Sequence, residues 1–437
     1  KASEAIFGAN DIDGVLPVTI GKNYEEGTSI LIKKSDILSF DHPVNLGVDM
    51  NKLNKIDSLI NYAIKNKMTP GAQMLIAKNS NIIYHNSFGY KTYEKKQEIN
   101  NNSIYDLASL TKILVSVPLL LKEFTNKNFD LTTNLADWFP DKDLKDKKNL
   151  SIKQLFSHYS GMKSWIPFYK KTIDSLTNKR IDKYFSNTKS KDFPFQVLDE
   201  LYIKNYNDTI FNEIVDSELS DSLSYVYSDL PYFLLKFYLE TTYKTSLDTQ
   251  IKEFIYDKIG SSSLTYKPTI FSPNNSIVPT VIDDYFRYDI VQGHVHDMGA
   301  AMMDGVSGHA GLFGNSLDVA KVLQLFLQKG SYSKKIFFDE KNFNLFNFRH
   351  FEDEKVRRGI GFDKPELDPD DPNTCGCVSE SSFGHYGFTG SMAWVDPEKE
   401  IVYVFLSNRT YPDESNNSLS EFNIRTELQK IVHEAFE

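Results

Sequence analysis

The chain has 437 residues, with 49 Lys+Arg against 59 Asp+Glu and a formal net charge of −10, which excludes a nucleic-acid binder, since phosphate recognition needs a clustered surplus of Lys and Arg. Hydrophobic residues make up 41% and aromatics 13%, including 31 Phe and 24 Tyr, which excludes a disordered chain and can fill a sizeable core. No run approaches the ~18 apolar residues of a membrane-spanning helix, and length alone allows about two or three domains.

Residues 1 to about 45 mix Gly, Pro and short apolar runs without a long periodic segment. They begin Lys1-Ala2-Ser3-Glu4, with neither an initiator Met nor a signal peptide's apolar stretch. Ala5-Ile6-Phe7-Gly8-Ala9 followed by Gly14-Val15-Leu16-Pro17-Val18-Thr19-Ile20 resembles the closing segment of family-3 glycoside hydrolases of the β-N-acetylglucosaminidase type. The resemblance implies that residues 1–46 are the end of such a domain and a linker, fused upstream of residues 47–437. The plainer alternative is an N-terminal arm packed on the main domain.

From near Asp49, Leu53, Ile56, Leu59, Ile60, Ala63 and Ile64 recur at helical spacing, predicting an amphipathic helix to about Asn66. Strand-like runs follow at Gln73–Lys78 and Ile82–Gly89 around the turn Asn79-Ser80-Asn81, with a second pair at Ser391–Val395 and Ile401–Leu406. A last amphipathic helix is expected over Leu419–Phe436. Helix and strand pair at both ends predict an α+β fold, one antiparallel sheet flanked by the terminal helices. The α/β part then covers about 47–106 and 331–437, and a mostly helical subdomain about 107–330.

Tyr105-Asp106-Leu107-Ala108-Ser109-Leu110-Thr111-Lys112 leads into the apolar Ile113-Leu114-Val115 and Leu119-Leu120-Leu121. A serine and a lysine three apart on a helix share a face. A serine hydroxyl needs a base to take its proton, and a lysine serves only when neutral, which burial and nearby cations promote. The same spacing occurs at Ser160/Lys163, Ser186/Lys189 and Ser331/Lys334, but those copies sit in loops or polar runs.

Tyr227-Ser228-Asp229 precedes an apolar helix beginning at Leu230, so both outer side chains can face one cavity, although Tyr84/Asn86, Tyr206/Asp208 and Tyr411/Asp413 share the loose pattern. Phe383-Gly384-His385-Tyr386-Gly387-Phe388-Thr389-Gly390 leads into the second strand pair. Its glycines let a strand edge approach a ligand and offer N–H donors.

Taken in order, these elements resemble the serine β-lactamase and penicillin-binding-protein superfamily, in particular its class C-like hydrolases. Leu155-Phe156-Ser157-His158-Tyr159-Ser160-Gly161 and Gly305-Val306-Ser307-Gly308-His309-Ala310-Gly311 are similar to its supporting segments. The resemblance implies a β-lactamase/transpeptidase-like fold with no metal or organic cofactor. Ser109 would be the acylated nucleophile, and Lys112 and Tyr227 would move its proton. Asp229, His385, Tyr386, Gly387 and Phe388 would bind substrate, and the N–H groups of Ser109 and Phe388 would form the oxyanion hole. The substrate would be a small molecule or peptidoglycan fragment carrying an ester, amide or D-amino acid, in the periplasm or cell envelope.

Two departures bear on substrate. Asp229 stands where an amide is usual, exchanging a hydrogen-bond donor for an anionic acceptor. His385 replaces the usual lysine; with a reference pKa of ~6.5 it is mostly neutral at pH 7, which predicts little β-lactamase activity, and with it the −10 net charge mildly disfavours strongly anionic substrates. Asp229 as a helix N-cap and His385 as a structural histidine are the plainer roles. Trp165-Ile166-Pro167-Phe168-Tyr169 could line a cleft or pack in the core. His294-Val295-His296-Asp297 supports a rival metallohydrolase. A non-catalytic domain binding peptidoglycan fragments is the remaining alternative. Cys375 and Cys377, one residue apart, are expected to be bystander thiols.

Overall fold

The structure, a computed structural model, describes residue 8, residues 11–31, residue 33 and residues 36–437 except 273. Of Ala5-Ile6-Phe7-Gly8-Ala9, only Gly8 lies within the described residues. In the stretch that follows, Val15, Val18, Ile20 and Leu31 are largely exposed, whereas Ile37 and Leu38 pack against the main core and Ser39–Phe40 joins its sheet.

The main sheet has six strands: β1 (Ser39–Phe40), β2 (Gly71–Lys78), β3 (Asn81–Gly89), β4 (Phe383–Tyr386), β5 (Met392–Asp396) and β6 (Ile401–Ser407), in the order β1-β3-β2-β6-β5-β4. Strands from the two chain ends meet at its centre, where Leu75 lies opposite Val404 and Ala77 opposite Val402. All pairings are antiparallel except β1 with β3. That parallel edge strand of two residues is too short to show as alternation in the sequence, and it corrects the expectation of a wholly antiparallel sheet.

The run Ile401-Val402-Tyr403-Val404-Phe405-Leu406 is continuously apolar because both faces of β6 are buried. Tyr403 and Phe405 join Met74, Ile76 and Trp394 beneath α1 (Lys55–Lys65) and, near the C-terminus, the helix Ile424–Glu434. Val402, Val404 and Leu406 join Leu75 in the larger core on the other face.

Between β3 and β4 the chain builds α2 (Val117–Thr125), α3 (Leu230–Tyr243), α4 (Ser316–Leu327) and several short strand pairs, with α4 packed on the sheet. Numbered after these, α5 is Ile424–Glu434. Both terminal helices are interrupted. Met50–Leu53 precedes α1, and Ser418–Glu421 precedes α5 where Asn423 turns left-handed at φ +53°. Periodicity carries through such breaks, so each reads in the sequence as one helix.

The bystander reading of the cysteines is corrected: Cys375 and Cys377 form a disulfide, with Cα atoms 5.1 Å apart. Gly376 between them has φ +64°, a conformation glycine adopts without a Cβ penalty.

Candidate active site

The approach to Ser109 is set by Asp106, a buried carboxylate in a short strand paired with Leu312–Gly314. Its Oδ1 accepts from the Ala108 N–H at 2.9 Å and its Oδ2 from the His296 N–H at 2.8 Å. Ala108 is thereby held at φ +45°, a left-handed conformation costing a non-glycine residue about 1–3 kcal/mol. This turn sets Ser109 at the start of the helix, half-buried beside the cleft.

The next turn, Lys112–Ser116, is a π-helix leading into α2, a local widening often found at functional sites. Lys112 is fully buried. Its Nζ lies 2.8 Å from Ser109 Oγ, 2.5 Å from the Tyr227 hydroxyl and 2.7 Å from Asp229 Oδ1. The Tyr227 hydroxyl donates to Ser109 Oγ at 3.1 Å. Four expected site residues therefore share one polar cluster.

Burial alone would pull the Lys112 pKa down, but the Asp229 carboxylate and Tyr227 outweigh it and raise it above the ordinary lysine value. Burial raises the Tyr227 phenol, with Lys112 partly offsetting. Lys112 thus rests as a cation and Tyr227 as a phenol. Asp229 occupies the N-cap position of α3 but makes no side-chain cap bond; its charge faces Lys112 instead.

Tyr227 is positioned from behind by His158. The Ser228 N–H donates to His158 Nδ1 at 3.0 Å, and the Ser228 hydroxyl donates to the Lys163 carbonyl at 2.6 Å. Burial, then Arg358 and Lys112, hold the His158 pKa far below its usual value, so the neutral ring can accept.

His385 is buried on β4, with Nδ1 donating to the Tyr386 carbonyl at 2.7 Å and Nε2 unpartnered. Burial, then Arg358 and Lys112, keep it neutral. Tyr386 lines the cleft, its hydroxyl donating to the Asn373 carbonyl. Gly387 admits no larger residue readily, since a Cβ would stand 2.9 Å from the Leu107 carbonyl oxygen. Phe388 is 48% exposed, stacked on His296. Neither the Ser109 nor the Phe388 N–H has a protein acceptor among the described residues, leaving both free to donate to a substrate oxygen.

Sequence reasoning missed the cleft's charge. The cavity of about 390 Å³ at Ser109 is lined by Arg357, Arg358, Arg409 and Arg425, with Asp363 the one lining carboxylate. Arg357 and Arg358 both pair with Asp363. Arg425 lies over the Tyr386 ring and donates to Ser420 Oγ at 2.7 Å. A lining with four guanidinium groups and one carboxylate attracts anions whatever the net charge of the chain. The expectation that the −10 net charge, with His385 in place of lysine, mildly disfavours strongly anionic substrates rested on the whole chain, and the local lining of the cleft runs against it. The adjacent Arg357-Arg358 pair was the available signal, but nothing local tied it to Ser109.

The residues of the metallohydrolase reading are drawn into separate bonds. His294 meets Asp199 at 3.0 Å, His296 meets Glu414 at 2.7 Å, and Asp297 accepts from the Ala300 N–H and meets His309. Trp165 stands exposed at the rim of a small pocket beside Asp229, whereas Phe168 is core. Gly308, in the second supporting segment, lets α3 approach the nucleophile's helix: a Cβ there would meet the Tyr232 carbonyl oxygen at 2.6 Å and Ser116 Oγ at 2.7 Å. Gly308→Ala is expected to cost about 1–3 kcal/mol in urea unfolding through overpacking.

A serine bonded to a buried lysine and a tyrosine, between a sheet edge and a helical insert, defines a serine hydrolase of β-lactamase/transpeptidase-like fold. The β-lactamase family matches residues 56–426, and the chain belongs to that family. It is similar to N-acetylmuramyl-L-alanine amidase of Bacillus subtilis, at 27% identity over 396 residues, covering 84% of each chain. A Salmonella agona protein provisionally named a D-alanyl-D-alanine carboxypeptidase is 27% identical over 405 residues, covering 87% of this chain and 88% of the relative. Among solved structures, EstCE1, a hydrolase with promiscuous acyltransferase activity, superposes with a TM-score of 0.62 at 16% identity, covering 88% of this chain and 99% of its own. The octameric penicillin-binding protein homologue from Pyrococcus abyssi gives 0.59 at 17% identity, covering 85% and 77%.

Proposed function

We propose that the chain hydrolyses a carboxylate-bearing ester or amide, such as a D-amino-acid-containing peptidoglycan fragment, through an acyl-enzyme on Ser109. Ser109 Oγ attacks the carbonyl carbon in the fraction of enzyme whose Lys112/Tyr227 pair has lost one proton to solvent, and the serine proton passes to that pair. The oxyanion is held by the Ser109 and Phe388 N–H groups. The leaving amine or alkoxide takes the proton back, and water, deprotonated by the same pair, releases the acid. The observation that carries this reading is the placement of Ser109 Oγ, within bonding distance of both Lys112 and Tyr227, at the base of an arginine-lined cleft.

Asp229 and the neutral His385 support weak or no β-lactamase activity. The test is a panel of p-nitrophenyl esters, D-amino-acid amides, muropeptides and a chromogenic cephalosporin. Turnover of muropeptides or esters with little cephalosporin turnover is expected, and binding without turnover would overturn the reading. Arg425→Ala should raise KM for a substrate with a free terminal carboxylate by about tenfold, the loss of one charge-assisted contact, and leave the amidated analogue unchanged.

The same proposal includes an upstream family-3 glycoside hydrolase domain and a periplasmic or envelope location. The motif of residues 5–20 and the exposed apolar side chains of residues 15–31 support the first. The disulfide and the cell-wall names of relatives support the second. Sequencing the gene upstream of residue 1 tests the fusion; cell fractionation tests the location.

A further inference from the structure

Away from the catalytic residues, one group of three metal-ligating side chains comes together among the described residues. It consists of Cys375, Cys377 and His433, whose ligand atoms lie within 4.8 Å of one another. The cysteines are half-buried and within reach of solvent. His433, on α5, is only 3% exposed, and its Nδ1 has no hydrogen-bond partner. An unbonded buried polar atom costs about 1–3 kcal/mol, which a ligand would offset. The nearby Asp396 carboxylate, 4.0 Å from Nδ1, is already engaged by the Ser379 N–H and hydroxyl and the Lys399 N–H.

The frame around the sulfurs does not depend on their bond. The Cys375 N–H donates to Gln429 Oε1 at 3.0 Å, and Lys399 Nζ donates to the Cys377 carbonyl at 2.8 Å.

We propose that Cys375, Cys377 and His433 form a thiol-gated metal site, closed while the sulfurs are joined and able to bind one zinc-like divalent cation once they are reduced. A dithiol reductant gives two electrons and two protons to the disulfide and becomes a disulfide itself. The metal then displaces the two thiol protons to solvent. Two thiolates and one imidazole fill three positions of a tetrahedral ion, and water takes the fourth. The site touches the cleft through Asn373, two residues before Cys375, whose carbonyl accepts from the Tyr386 hydroxyl. Asn373 and Tyr386 both line a neighbouring cavity of about 240 Å³ with Arg357 and Arg425.

The test is cobalt titration of the full chain, before and after reduction with dithiothreitol and oxygen-free desalting. Expected are one cobalt per reduced chain with thiolate-to-cobalt absorption, none in the oxidised protein, loss of that absorption in Cys375→Ser, and at least about tenfold weaker binding in His433→Asn. Reduced protein without thiolate absorption, or His433→Asn binding as wild type does, overturns the proposal. Circular dichroism checks folding of the serine variant, and His433→Asn, which keeps both thiols, decides if it fails to fold.

Discussion

Ser109→Ala should lower kcat/KM by at least about a thousandfold and abolish covalent labelling by a fluorophosphonate, read as an unchanged intact mass. The size follows from the nucleophile acting as one unit with its proton-transfer partners, where losing any member removes most of the rate. Lys112→Ala should be comparably impaired, and the double variant little worse than either single one. That non-additivity separates a shared proton-transfer cluster from two independent contributions. The two variants should differ in stability. Ser109 is half-buried, and its loss leaves the Lys112–Asp229 pair intact. Removing Lys112 leaves Asp229, with a side chain 23% exposed, facing no counter-charge. Thermal unfolding should therefore fall for Lys112→Ala and not for Ser109→Ala. Labelling of Ser109→Ala at the wild-type level would show that the reactive serine lies elsewhere.

Ser109 and Lys112 could be read from the chain because their relation is local: three residues on a helix place them on one face whatever the rest of the fold does. The π-turn that begins at Lys112 left no mark, since it alters hydrogen bonding without changing which residues are apolar. Tyr227 and His385 stand 118 and 276 positions from Ser109, and only the order of motifs shared with a family joined them to it. The arginines had no such guide. Arg357, Arg358, Arg409 and Arg425 lie on separate loops and a helix, so their convergence depends on how the C-terminal segments wrap over the sheet. The main strands were legible because burial on both faces leaves long apolar runs, whereas Ser39–Phe40 was too short to carry a pattern. The disulfide escaped notice because closure between such near neighbours depends on the turn at Gly376, a backbone property rather than a compositional one.

Asp229→Asn should shift the acidic limb of the kcat/KM profile to lower pH and raise the rate at pH 6–7, on the order of tenfold for about 1.4 kcal/mol of lost cation stabilisation. Deprotonating Ser109 requires the Lys112/Tyr227 pair to lack a proton. Asp229, 2.7 Å from the amine, favours the fully protonated state and so raises the pH at which the reactive form appears. Asparagine keeps the shape and removes the charge, so the lysine pKa falls and more of the pair is reactive near neutrality. Folding does not produce this limb. A group with a raised folded pKa contributes its stability fully below the unfolded value, here 10.5, and loses it only as pH rises through the folded value. Between pH 5 and 9 the pair's contribution is therefore constant in wild type, and a pH–rate profile taken alongside melting temperatures separates the two effects. An unchanged acidic limb in a folded Asp229→Asn variant would mean that the proton leaves by a route Asp229 does not influence. A limb displaced toward lower pH would identify Asp229 as the residue that sets the working pH of the serine.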